Sequence, residues 1–285
     1  MIGQVERVVE LNNLKNGKHR KTAVKTIAFT SGKGGTGKTF LAVNMAYAIS
    51  EMNKRVLLVD LDSNLSNVNI LLNMNSKKTL NDFFTGRKLL PELITPFENN
   101  LHIIFGDSGK LDYDIPKAEM IKLLFNNLSK VSSDYDYIFL DTGAGAHDDT
   151  INFLLHSSLN VIVTTPEPTS VMDAYVMVKL LKNNGYQNKN LVIVNKCSTD
   201  EEGAMAFNNL NVASKHFLSE DLHLLGFITL DSLVRKSIID QELLLKTYQN
   251  TKSAGQVRKL SSGLIEFIQM ANIHQSKISA YQQNR

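Results

Sequence analysis

A glycine-rich run in this chain holds two lysines: Ser31-Gly32-Lys33-Gly34-Gly35-Thr36-Gly37-Lys38-Thr39. Glycine at this density lets a backbone curl until several N–H groups point inward, and a polyphosphate suits such a ring of donors. Lys38 then supplies a cation for the β and γ oxygens. Thr39 supplies a hydroxyl for Mg2+, whose hard octahedral shell takes oxygen. The run follows the β-branched segment 26–31 and precedes a helical pattern over 38–52, the strand, loop and helix setting that a phosphate loop needs. Three carboxylates, Asp60, Asp62 and Asp141, stand at the ends of other apolar runs. Beside a polyphosphate a carboxylate is repelled unless it holds metal-bound water or accepts a proton. Taken singly, each reads more simply as a strand-end turn or a helix cap; grouped behind a phosphate loop, they do not.

The elements that must position these groups are regular. Short runs apolar on both faces occupy 26–31, 55–60, 101–105, 137–141, 160–165, 191–195 and 224–228. Helical patterns lie near 38–52, 117–131, 148–157, 169–184, 203–218, 231–240 and 256–271. Strands buried on both faces and alternating with helices predict an α/β fold: a single doubly wound, mostly parallel sheet with helices on both faces. Ligands in such sheets bind beyond the carboxyl ends of the strands. Before the domain, which is expected over 25–271, residues 1–14 carry Ile2, Val5, Val8, Val9 and Leu11 at near-helical spacing. That short amphipathic peptide needs a surface, either its own domain or a partner. Residues 15–24, with Lys15, Lys18, Arg20 and Lys21 and no acid, read as a basic linker, and 272–285 as a polar, frayed tail.

Composition excludes other classes. One cysteine, Cys197, in 285 residues rules out a disulfide framework, a four-cysteine zinc site and an iron–sulfur cluster held by this chain's own thiolates. No apolar run approaches the ~18 residues of a membrane span and the first residues lack a signal-peptide core, so the expectation is a cytoplasmic protein. A net charge of +3, from 31 basic and 28 acidic residues, gives no argument for nucleic acid as a partner. His147-Asp148-Asp149 reads as a helix cap with first-turn carboxylates rather than a metal site.

The string Lys33-Gly34-Gly35-Thr36-Gly37-Lys38-Thr39 resembles the deviant Walker A loop of the MinD/ParA group of ATPases, and the likeness runs from Lys25 to about Met270. It implies a P-loop NTPase of MinD-like fold that binds ATP and Mg2+ and hydrolyses ATP. In that group the lysine at the position of Lys33 reaches across a dimer to the partner's phosphates. Gly32 to Thr39 would line the nucleotide. Asp60-Leu61-Asp62 resembles the first switch, with Asp60 near the magnesium shell and Asp62 orienting the attacking water. Asp141 looks like the Walker B acid; with Thr39 and Asp60 it would hold the metal, the two carboxylates through water. Thr142-Gly143-Ala144-Gly145 then forms a second, mobile switch, and Asn195 would contact the adenine.

Within the group, Asp141-Thr142-Gly143-Ala144-Gly145 and Thr164-Thr165-Pro166-Glu167-Pro168-Thr169-Ser170, followed by Asp173-Ala174-Tyr175, are similar to the FlhG/FleN (YlxH) flagellar-number regulators. Pro166 and Pro168 are expected to end the run 160–165, with Thr169 or Ser170 capping the next helix. Three positions depart from the pattern: Asn64 replaces a glycine, Asn69 an aspartate and Thr229 a proline. The resemblance implies an ATP-dependent homodimer that controls flagellar number or placement, partnered by a signal-recognition-type GTPase of flagellar assembly or another flagellar regulator. It also implies peripheral membrane contact through the C-terminal helix, whose stripe Val257, Leu260, Leu264, Phe267, Ile268 and Ala271 reads equally as a packed face. Two other readings are a nucleotide-gated binding module with negligible hydrolysis, and a ParA-like DNA-partitioning or MinD-like division-site ATPase.

Overall fold

The computed structural model describes residues 25–62, 67–74, 76–107 and 117–283, with side chains described as far as Asn272. The leading peptide, the basic linker and Asn64 lie outside the described residues. β1 (Thr26–Thr30) leads through the glycine run into α1 (Lys38–Glu51). Next come β2 (Val56–Leu61), the short helices α2 (Val68–Leu71), α3 (Leu80–Phe84) and α4 (Leu90–Leu93), then β3 (Thr95–Pro96) and β4 (Leu101–Ile104). α5 (Lys117–Val131), β5 (Tyr137–Thr142), α6 (Asp148–His156), β6 (Leu159–Thr164), α7 (Pro168–Asn183), β7 (Asn190–Cys197) and α8 (Asp200–Leu218) continue the alternation. The chain closes with β8 (His223–Thr229), α9 (Ser232–Ile239), α10 (Leu244–Thr247) and α11 (Lys252–Gln283).

The sheet order is β3-β4-β2-β5-β1-β6-β7-β8, parallel throughout except for the β3–β4 edge. Winding goes to one side of β1 for β2 to β5 and to the other for β6 to β8. The carboxyl end of β1 therefore lies where the direction reverses, the crevice in which such sheets take ligands. Alternate strand residues feed opposite layers. Ile27, Phe29, Val56, Leu58, Phe139, Val161 and Ile193 pack under α1, α10 and α11. Ala28, Leu57, Val59, Ile138 and Leu140 pack under α3 to α7. Strands covered on both faces have no solvent side to keep polar, which is why they read as continuous apolar runs. α1 is buried nearly all round, from Phe40 through Ile49, because α11 covers the face that the sheet leaves.

Several boundaries differ from the sequence reading for physical reasons. β3 is a two-residue edge strand ending in Pro96, a proline that only an edge tolerates, and the short helices α2, α3, α4 and α10 are below the length at which a 3.6-residue period shows. The helix expected over 169–184 starts at Pro168, with Glu167 as its N-cap and no side-chain cap bond. Neither Thr169 nor Ser170 is the cap: proline takes the first helical position, and the buried Ser170 hydroxyl instead accepts from the Thr165 N–H at 3.1 Å. The stripe Val257, Leu260, Leu264 and Ile268 is buried against α1 and β8 as a packed face. α11 also runs past Ala271 through the stretch expected to fray, as far as Gln283. Among the described residues no helix is long and apolar enough to cross a membrane.

Candidate nucleotide site

The glycine run forms a tight loop whose special positions are forced. Gly35 and Gly37 have φ of +79° and +89°, where a side chain is disfavoured. Gly37 is the N-cap of α1 and offers no side-chain cap bond, so the first N–H groups of that helix point at the loop without a capping acceptor. Gly32 is fixed from outside: a Cβ there would sit 2.4 Å from the backbone carbonyl of Asp173 in α7. The Ser31 hydroxyl donates to the Lys33 carbonyl at 3.0 Å, and the Ser31 carbonyl accepts from the Gly145 N–H at 2.8 Å, tying the loop to the segment after β5.

Lys38, Thr39 and Asp141 meet beneath this loop. The buried Lys38 ammonium lies 2.6 Å from Asp141 Oδ1 and 3.2 Å from the Thr39 hydroxyl. Full burial pushes Asp141 above the ordinary carboxylate range. The Lys38 charge and hydrogen bond pull against that shift, the Thr39 hydroxyl acts the same way, and the Asp62 charge adds to the rise. Asp141 Oδ2 is buried and has no hydrogen-bond partner. Register places Asp60 of β2 beside Asp141 of β5. The fully buried Asp60 carboxylate accepts from the Asp62 N–H at 3.0 Å and the Val68 N–H at 3.3 Å, which fixes both ends of the intervening loop. Asp62 follows β2 beside Gly143: a Cβ built on that glycine would stand 3.7 Å from Asp62 Oδ1.

The remaining sequence-predicted residues surround the loop. Asn195, at the end of β7, donates from Nδ2 to the Thr36 carbonyl at 2.7 Å and accepts on Oδ1 from the Lys196 N–H. A Cβ on Gly37 would meet that Nδ2 at 2.3 Å, a second reason for glycine there. Lys33 is exposed, its ammonium 3.4 Å from the Thr169 hydroxyl at the start of α7 and apart from the pocket that holds Lys38. His147 caps α6 with Asp148 and Asp149 in the first turn. Burial raises the Cys197 thiol to about 11, the charges of Glu202 and Asp200 adding to the shift, so it is an inert interior group.

These residues fit a magnesium nucleotide. Helix N–H groups and Lys38 suit phosphate, while the Thr39 hydroxyl and the unpartnered Asp141 oxygen suit a hard cation. Among the described residues no group of three or more His, Cys, Asp or Glu side chains could hold a metal ion.

Sequence reading missed two features. Lys196 is one, since nothing in a strand pattern marks it. The other explains the Thr229 departure: its N–H and its hydroxyl both donate to Gln256 Oε1, at 3.0 and 3.1 Å, and a proline could make neither bond. Thr229→Pro should therefore lower unfolding stability by about 2 kcal/mol and Thr229→Val by about half of that, as urea titration would read. Equal midpoints for both variants and the parent would show that the Gln256 contact carries no weight.

Comparison with known proteins follows the same lines. The sequence model of a family described as an AAA domain matches residues 24–193. Flagellum site-determining protein YlxH of Helicobacter pylori is 35% identical over 280 residues, covering 93% of this chain and 94% of that protein. Antiactivator FleN of Pseudomonas aeruginosa is 32% identical over 231 residues, covering 81% of this chain and 82% of its own length. The septum site-determining protein MinD of Pyrococcus horikoshii, solved with Mg-ADP, superposes with a TM-score of 0.70 at 26% identity, covering 84% of this chain and 95% of that one.

Proposed function

The chain belongs to the MinD/ParA-type ATPases, with the FlhG/YlxH and FleN flagellar regulators among its close homologues, and from that premise we propose that it is an Mg2+-dependent ATPase whose ATP-bound dimer controls flagellar number or placement. The observation that carries this reading is the buried Lys38–Asp141 pair at 2.6 Å beneath a glycine loop that opens α1. Lys38 transfers its ammonium from Asp141 to the β and γ oxygens when nucleotide enters. Thr39, Asp60 and Asp141 would hold Mg2+, the two carboxylates through water. Held by these residues, Mg2+ would supply charge neutralisation at the phosphates. Asp62, beside Gly143 of the second switch, orients the attacking water, and Asn195 meets the adenine edge while holding the loop. Lys33 completes the site of a facing subunit. A flagellar regulator reads the dimer, a role supported by the antiactivator name that the FleN relative carries.

Asp62→Ala provides the test. Because this group positions water rather than nucleotide, the variant should bind MgATP as the parent does, lose hydrolysis by about a hundredfold and elute as a persistent dimer with ATP. A monomeric variant that releases phosphate at the parental rate would remove Asp62 from the mechanism; a parent that releases none, with any flagellar component added, would remove hydrolysis from the function.

A further inference from the structure

β7 does something unusual where it meets the phosphate loop. Its pairing with β8 shifts register between Val194 and Cys197, and within that irregularity Lys196 has a φ of +60°, a left-handed conformation that a lysine adopts at a cost. The neighbours Asn195 and Cys197 are buried, whereas Lys196 is turned outward. Its ammonium lands on the Gly35 carbonyl at 2.6 Å. The preceding residue donates to the next carbonyl of the same loop, Asn195 Nδ2 to Thr36 O at 2.7 Å. Two consecutive residues of one strand end thus hold two consecutive loop carbonyls. A trans peptide is planar with its C=O and N–H opposed, so the same hold turns the N–H groups of Thr36 and Gly37 to the opposite side.

We infer that Lys196 is a positioning residue for nucleotide binding: its ammonium, delivered by the β7 irregularity, holds the Gly35 carbonyl away from the phosphates and so presets the loop's donors. The inference rests on the nucleotide-site reading above and adds to it a residue outside the phosphate-loop motif. A preset loop does not have to order itself when ligand arrives, and fixed dipoles of this kind strengthen binding without touching the ligand. Because the affected N–H groups serve phosphates common to both nucleotides, ATP and ADP should be weakened alike. Hydrolysis, governed by groups beneath and across the loop, should not be.

The test is calorimetric titration of the full chain and its Lys196→Met, Lys196→Arg and Lys196→Gly variants with MgATP and MgADP, together with steady-state phosphate release. Lys196→Met should bind both nucleotides about tenfold more weakly, as expected for loss of one charge-assisted hydrogen bond, with KM raised and kcat within about twofold of the parent. Lys196→Arg should recover most of the affinity. Lys196→Gly relieves the left-handed backbone but lacks the amine. It should be as weak as Lys196→Met while melting no lower than the parent, which separates the ammonium's role from that of a turn residue. A parent that binds neither nucleotide overturns the site reading and this inference together. A parent that binds, with Lys196→Met or Lys196→Gly equally tight, overturns this inference alone, as does an Arg variant no better than Met or a loss confined to kcat.

Discussion

Lys38→Met should fail to bind MgATP, with affinity down by at least about a thousandfold, because a polyphosphate then enters a loop whose one buried cation is missing. The structure adds a second consequence that the motif alone does not carry. Lys38 neutralises Asp141 at 2.6 Å, and both groups are buried. Removing one member of a buried pair leaves an uncompensated charge, so the variant should also lose about 3 kcal/mol of stability at neutral pH. The sign of its pH dependence follows from the direction of the shift. Burial already raises Asp141 in the folded state, and the variant loses the Lys38 charge and hydrogen bond that opposed that rise. Folding then takes up a proton, so the deficit grows as pH rises through the folded value and is relieved as pH falls below the ordinary carboxylate range. Lys38→Met/Asp141→Asn should regain the stability at neutral pH and still not bind. Calorimetry and urea titration across pH read both effects. A double variant that binds MgATP normally would dismiss the site, and a single variant as stable as the parent at neutral pH would dismiss the charge argument.

Lys33→Ala should bind MgATP within a few-fold of the parent, stay monomeric with ATP, and lose about a hundredfold in hydrolysis, the scale on which a charge supplied from across an interface acts on phosphoryl transfer. Both lysines sit in one loop, but only Lys38 is buried against Asp141, and Lys33 is exposed, within reach of Thr169. Its ammonium cannot share the oxygens that Lys38 neutralises without crossing the loop. In the proposed dimer it would pair with a nucleotide facing it from a second chain, where exclusion of water would strengthen the attraction. Size-exclusion chromatography with ATP and a phosphate-release assay decide the matter. A variant that dimerises and turns over like the parent makes Lys33 an ordinary surface lysine.

Much of this site is readable from sequence because its parts are local. Among the described residues, six of the eight strands are largely buried apolar runs, while β3 and β8 at the sheet's edges are half-open, and the glycine loop, Lys38 and Thr39 are contiguous in sequence. What the sequence does not show is contact across the chain. The Lys38–Asp141 pair joins residues 103 apart and the Asn195–Thr36 bond residues 159 apart. Lys196 gives no signal at all, since a lysine at a strand end reads as solvated and only the register shift with β8 reveals where it points. The capping expectation at Thr169 or Ser170 failed for a related reason: a hydroxyl near a helix start has two backbone acceptor roles within reach, and Ser170 turned back toward β6. Thr229 stands out only as a missing proline until Gln256 of α11 is seen opposite it.

The strand order has a consequence for how the protein comes off the ribosome. β1 carries the phosphate loop and is made first, yet its sheet neighbours are β5 and β6. A chain still being translated through α5 holds the glycine loop with no Asp141 beneath it. One translated only through α7 still lacks the Asn195 and Lys196 contacts at the end of β7. Folding of such a topology waits on pairings distant in sequence. Nucleotide capture is thereby postponed until most of the chain has emerged, and fragments from interrupted translation do not carry the assembled pocket.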